Sequence, residues 1–367
     1  MESDRLSAWQ FHLLTQIYVI GTAFILLPGP IIASAKQYGW VVVIWATLYG
    51  LVLAFGYLYL AKLYPGKTLV EIALQAFGKW AGGLVSLLYI VFFIQIASWV
   101  THNLGDFMHI NLMPLTPISV FHIMILLVSA YAVSKGIESI ALVNELLVPY
   151  LYSAFWVPIV IMLREWKWRY FHVAYPFQLS DVVIQTRYVL AFPFMETVAF
   201  LMLIPFVQRK VKIAFITGIA VAGAMLTACV FISIGVLGVY RGQQLVYPIF
   251  SMFREMRFTG FIEHLEAILA VNIVLVVCIK LCILFYCAVL GVCQLFKIER
   301  RNIVIYPMVW VISAYSMLFI NNIENLDWIK KYLFEYYFLF AVALPVLFIV
   351  AAKWRNNGRR MKKDGST

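Results

Sequence analysis

The 367 residues are 64% hydrophobic and only 12% charged, with a mean hydropathy of +0.91. A soluble domain carries about 25% charged residues, so the surplus of apolar side chains has to face lipid, and the chain reads as a polytopic membrane protein. The formal charge of +11 sits in short clusters between apolar runs; it is not gathered on the stripe or arm that nucleic-acid binding would use, and no nucleic-acid partner is expected.

Crossing the hydrocarbon takes about 20 apolar residues in a helix. By that rule ten spans are predicted, over about 8–36, 38–62, 82–106, 117–135, 138–163, 181–207, 212–240, 262–295, 302–320 and 331–352. The first run has no strong basic n-region and continues too far for a cleavable signal peptide. Between spans two and three, "GKTLVEIALQAFGKW" (66–80) is too short and too mixed to cross, and an amphipathic helix at the membrane interface is expected there. Trp40, Trp80, Trp166, Trp168, Trp328 and Trp354 fall near span ends, as an aromatic belt predicts. "KWRNNGRRMKK" (353–363) closes the chain in a basic cytoplasmic tail (353–367), expected to be disordered.

Counting Lys and Arg orients the chain. With both termini cytoplasmic, the inner segments hold 17 basic residues and the outer segments nine, a bias that supports that topology. The outer face then carries one sizeable loop, about 241–261. There Arg241, Arg254 and Arg257 are expected to stand among exposed Phe250, Met252 and Phe253, a combination that suits a protein interface, the alternatives being a lid over a pocket mouth or a helix resting on the membrane.

Two spans are interrupted. Gly21 breaks span one in "YVIGTAFILLPGP" (18–30), and Pro193 breaks span six in "YVLAFPFMETVAFLMLIPF" (188–206). These spans open two successive sets of five, about 8–163 and 181–352, and an odd number of crossings per set makes the halves antiparallel. That is the plan of an inverted-repeat transporter within a single integral membrane domain. The segments after the breaks even rhyme, "AFILLP" (23–28) and "AFLMLIP" (199–205). Backbone groups freed at membrane depth are tolerated only where they line a cavity or meet a ligand. N-terminal donors of one half-helix suit a carboxylate and C-terminal carbonyls of the other suit an ammonium. Gly21, Thr22, Ala23, Phe192, Pro193, Phe194 and Glu196 are therefore the candidate ligand-binding residues, against the plainer alternative of a proline kink and a packing glycine.

Ionisable residues inside spans are functional candidates by default. Glu196 at the second break could hold a ligand ammonium, carry a proton, or cap its half-helix. Lys280 lies near the middle of span eight, too deep to snorkel easily, and Glu145 about two turns inside span five; a Glu145–Lys280 intramembrane pair is predicted. Arg187 would snorkel outward or meet Asp181. His102, His109 and His122 show no metal spacing. The cysteines Cys229, Cys278, Cys282, Cys287 and Cys293 all lie in apolar segments and read as packing residues rather than a disulfide framework. With no nucleotide loop, metal cluster or nucleophile–base arrangement, neither catalysis nor a cofactor is expected.

From "LSAWQFHLLTQIYVIGTAFILLPG" (6–29) through "YAVSKGIESIALVNELLVPY" (131–150) and "FPFMETVAFLMLIPF" (192–206) to "VYPIFSMFREMRFTGFIEHLEAI" (246–268), the chain resembles the GerAB-like spore permeases, the B subunits of nutrient germinant receptors within the amino-acid–polyamine–organocation superfamily. "KGIESIA" and "FPF.E" are the most specific parts; Leu142 and Met195 stand where the family pattern has a basic and a small residue. The resemblance implies ten helices in an inverted repeat with spans one and six broken, located in the spore inner membrane. It also implies a small germinant bound in a midplane pocket, an amino acid foremost, and work with receptor A and C subunits. The alternative is an active amino-acid transporter, proton-coupled or uncoupled, using the same pocket. Sodium-coupled members of this fold hold their ion between the span-one break and hydroxyls on span eight; between Ala267 and Gln294 that span has no Ser or Thr, so sodium-independent function is expected.

Overall fold

A computed structural model of the chain describes residues 5–172, 179–255, 265–318 and 332–364, without the side chains of 179–181, 265 and 356–364. In chain order the helices are α1 (Ala8–Ile20), α2 (Ala23–Leu26), α3 (Pro28–Ala35), α4 (Gly39–Leu63), α5 (Leu69–Asn111), α6 (Ile118–Ser134), α7 (Ile137–Met162), α8 (Leu179–Val189), α9 (Val211–Gly242), α10 (Pro248–Glu255), α11 (Leu265–Phe296), α12 (Asn302–Met317) and α13 (Leu344–Asp364). Among the described residues there is no strand. Seven helical stretches are long and apolar enough to cross a membrane, and Ile118–Ser134 and Asn302–Met317 are shorter apolar helices. With the interrupted span six these make the ten spans.

Both breaks are real. A capping box at Ser7 and Gln10 starts α1. The helix stops at Gly21, whose φ of 25° and ψ of −117° few side-chain-bearing residues adopt. The chain turns through Thr22 and resumes as α2 and α3. In span six, α8 passes into a wide turn over Leu190–Phe194, with Phe192 at φ −126° and ψ 112° and a cis Phe192–Pro193 peptide. A tight 3₁₀ run, Met195–Met202, follows, every residue of it buried. Where an α-helical half-span was expected, the chain is wound more tightly, which draws its backbone in among its neighbours. The start of the first broken span and the end of the second are tied together: Leu6 N donates to the Phe206 carbonyl (2.9 Å) and Gln208 N to the Leu6 carbonyl (3.1 Å).

A third irregularity faces them. The last span, Tyr332–Arg355, opens into a π turn at Leu339–Ala343, which displaces carbonyls from the usual ladder. Buried phenols meet them: Tyr89 donates to the Phe340 carbonyl (2.7 Å) and Tyr57 to that of Ala341 (2.9 Å).

Three expectations change at the periphery. The segment 66–80 does form a helix, capped by Thr68 and kinked at Gly78 (φ 79°), but its apolar face is used on protein. Leu69, Val70, Ile72 and Ala73 are fully buried, and Thr68 Oγ1 donates to Gln294 of α11 (2.7 Å). The basic tail is helical to Asp364; Arg, Lys and Met are good helix formers, and the lone Gly358 costs only about 1 kcal/mol. The outer loop folds inward. Phe250, Met252 and Phe253 on α10 are 1%, 3% and 0% exposed, Phe107 meets Phe250 edge-on, and the Leu245 carbonyl lies against Gly29 of α3. Expected to be exposed, these side chains instead face the core and offer no interface; Arg257 and the rest of the loop to 261 lie outside the described residues.

Candidate functional site

The two breaks meet across a buried ion pair. Lys280, on α11, sends its stem over Gly21: a Cβ built on that glycine would stand 2.3 Å from Lys280 Cδ and 2.9 Å from the Tyr18 carbonyl oxygen. Only a glycine leaves the lysine that path. The ammonium then donates to Glu196 Oε2 at 2.6 Å, with the two side chains 0% and 2% exposed. So Lys280 passes the first break and ends on the acid of the second. A charge at this depth survives only when paired and hydrogen-bonded.

The pair is enclosed by aromatics. Lys280 Nζ lies 5.2 Å from the Tyr18 ring centroid and 5.1 Å from that of Phe192, within range of cation–π attraction. The Tyr337 hydroxyl donates to Glu196 Oε1 (3.3 Å), and the Tyr18 hydroxyl to the Glu196 backbone carbonyl (3.0 Å). The Glu196 carboxylate and the ring faces of Tyr18 and Phe192 form an ammonium cage, with the Tyr18 and Tyr337 hydroxyls bracing Glu196, and the protein's own lysine occupies it.

Of the candidate residues, Gly21 and Phe192 lie against Lys280 and Glu196 is its partner, whereas Thr22, Ala23, Pro193 and Phe194 are buried next to them in sequence. Thr22 and Ala23 are fully buried; Phe194 packs on Gly50 of α4, where a Cβ would meet its ring at 2.6 Å. The predicted Glu145–Lys280 pair does not form. Asn144, Val148, Leu151 and Phe155 make the buried stripe of α7, and Glu145, one residue on, points about 100° away. It accepts from Gln10 Nε2 on α1 at 3.0 Å instead. Arg187 likewise pairs with Glu335 (2.7 Å); the Asp181 side chain lies outside the described residues.

Sequence reasoning missed Tyr18 and Tyr337, although a tyrosine in an apolar span always carries a hydroxyl that needs a partner. It also missed two orphans. The Thr22 hydroxyl and both polar atoms of Asn144 are buried without a hydrogen-bond partner. Beside the first break lies a small cavity between α1, α2, α7, α9 and α11, walled by Ile17, Ile20, Phe24, Phe155, Leu226 and Val276, with Tyr152 and Asn272 as its polar groups. Tyr152 donates to Gln16 Oε1, and Asn272 donates to the Leu151 carbonyl (2.7 Å). Among the described residues no group of three His, Cys, Asp or Glu could hold a metal ion.

Two broken helices meeting in a helical inverted repeat define a transporter-type fold. A crystal structure of MhsT in complex with L-phenylalanine superposes with a TM-score of 0.62 at 14% identity, covering 96% of each chain. Residues 5–324 match the family described as "Spore germination protein", and the chain belongs to that family. It is similar along its length to proteins of Bacillus subtilis (strain 168). Spore germination protein KB is 26% identical over 99% of this chain and 98% of its own. YndE is 21% identical over 98% and 99%, and B2 is 23% identical over 95% of each.

Proposed function

We propose that the chain is the membrane B-type subunit of a nutrient germinant receptor, which binds a small germinant, an amino acid, between the two breaks. Its signal passes to receptor A and C subunits at the spore inner membrane, both termini of the chain being cytoplasmic. The observation that carries this reading is the Glu196–Lys280 pair, 2.6 Å apart and fully buried between the breaks. A structural core would do as well with apolar residues there, whereas a site for a small charged solute needs both signs at the midplane. Membership of the spore germination family favours sensing over bulk transport, and the amino acid held by MhsT on the same fold favours an amino acid as the solute.

Lys280 lies where a coupling sodium would be repelled, so the response is read as sodium-independent. The test is germination of spores lacking this chain against amino acids, sugars and nucleosides, in sodium medium and in choline medium of equal ionic strength. Loss of the response to one or a few amino acids, in both media, supports the reading. Unchanged germination together with concentrative uptake by the purified chain in proteoliposomes would replace it with the transporter.

A further inference from the structure

The ammonium cage is already full. Glu196, Tyr18 and Phe192 surround the Lys280 nitrogen, and the stem of that lysine covers Gly21. A ligand ammonium can take the caged position at Glu196 Oε2 only if Lys280 leaves. Lys280 is 0% exposed; once released it would be a bare cation in a dry interior, unless whatever displaced it brings an anion. We infer that the ligand is a zwitterion that exchanges partners with this pair: its ammonium takes Glu196, its carboxylate takes Lys280, and one internal ion pair becomes two pairs with the ligand. The inference rests on the breaks being the germinant site and specifies how that site chooses.

Three further features fit the exchange. The hydrogen bond to Glu196 uses one of the three N–H groups of the ammonium, which leaves donors for a carboxylate. The hydroxyl of Thr22, next to Gly21, is buried with no partner, an unmet capacity that a polar ligand would fill. The cavity beside the first break includes Val276, one helical turn from Lys280 on the same helix and so on the same face, which places open space within a turn of the lysine. The charge balance then sets the specificity. A zwitterion leaves every charge paired. A cation alone, such as an amino-acid amide, strands Lys280. An anion alone, such as the corresponding 2-hydroxy acid, either strands Glu196 or adds net charge to the interior. Exchange also releases the ion pair between α11 and span six, so that occupancy itself removes one of the contacts between them.

The test uses the full chain, purified into nanodiscs, with the twenty L-amino acids as probes by ligand-induced thermal shift. For each one that binds, its carboxamide and its 2-hydroxy acid are compared. Both analogues are expected to bind at least ~100-fold more weakly, the scale of a buried charge left without its partner. In the double variant Glu196→Gln with Lys280→Met, where neither charge remains, that discrimination should collapse to less than ~10-fold, whereas a purely structural pair would leave it intact. Either analogue within ~100-fold of its parent, or discrimination that persists in the double variant, overturns the exchange while leaving the germinant site in place. If no amino acid binds but a sugar or nucleoside does, the germinant reading falls and the exchange with it.

Discussion

Two ion pairs of the same chemistry sit in very different places. Lys280 and Glu196 are 2.6 Å apart and 0% and 2% exposed; Arg187 and Glu335 are 2.7 Å apart and 54% and 53% exposed. Distance alone would rank them equal. The surroundings separate them, because attraction between unit charges scales inversely with the effective dielectric, and so does the penalty for losing a partner. The outer pair has water as a fallback, with the Arg187 guanidinium also resting 4.6 Å from the Phe334 ring centroid. The inner pair has none. An evolved protein keeps such a pair where charge is needed, and here it stands where both broken helices turn.

The largest expected effect comes from removing one member of the inner pair. Lys280→Ala leaves Glu196 without its counter-ion, at a cost of about 3–5 kcal/mol, and should abolish most folded protein by fluorescence-detected gel filtration of membrane extracts. The double variant Glu196→Gln with Lys280→Met strands no charge and should be recovered at clearly higher levels than Lys280→Ala. Equal losses in the two would mean that the lysine stem, and not the charge, matters. Lys280→Arg should be partly tolerated.

Gly21→Val attacks the same pair from the backbone. The new Cβ would meet Lys280 Cδ at 2.3 Å in a conformation with φ of 25°, strain of about 1–3 kcal/mol. The germinant response should be lost while protein remains in the membrane. A normal response at ordinary germinant concentrations would remove the first break from the site.

How much of this was legible in the sequence follows from which quantity each feature depends on. The breaks at Gly21 and Pro193 were readable because glycine and proline act on the chain locally. Glu196 and Lys280 could each be singled out because depth in an apolar run is a one-dimensional property. Their pairing could not, because it depends on azimuth: Glu145 seemed the natural partner on span adjacency, yet lies about 100° from the stripe that carries Asn144 and Leu151. The packing of α10 was half legible. The composition of α10 marked an amphipathic element, but whether Phe250 and Phe253 face lipid, partner or core is decided by Phe107 and Gly29, more than a hundred residues away. The π turn at Leu339–Ala343 left no signal in its own segment, and the phenols that meet its carbonyls, Tyr57 and Tyr89, are remote in sequence.

A smaller effect separates the charge from its supporting hydrogen bonds. Tyr337→Phe removes the donor to Glu196 Oε1, a contact of 3.3 Å, and keeps the ring. The expected cost is about 1 kcal/mol, read as a drop of a few degrees in the thermal aggregation midpoint of the detergent-solubilised chain. A loss as large as that of Lys280→Ala would mean that the phenol, not the lysine, carries the site.

The outer pair should yield least. Both Arg187 and Glu335 are half exposed, and exposed pairs contribute about 0–1 kcal/mol because two flexible side chains must be held against screening. Arg187→Gln is therefore expected to shift the midpoint by no more than Tyr337→Phe does, and the shift should shrink further in 0.5 M salt, where the Debye length is about 4–5 Å. The inner pair offers the opposite control, since water and salt do not reach it and the cost of Lys280→Ala should not change with ionic strength. If Arg187→Gln instead cost as much as breaking the inner pair, or if its cost ignored salt, exposure would not be what distinguishes the two, and the special standing given to Glu196 and Lys280 would have to be withdrawn.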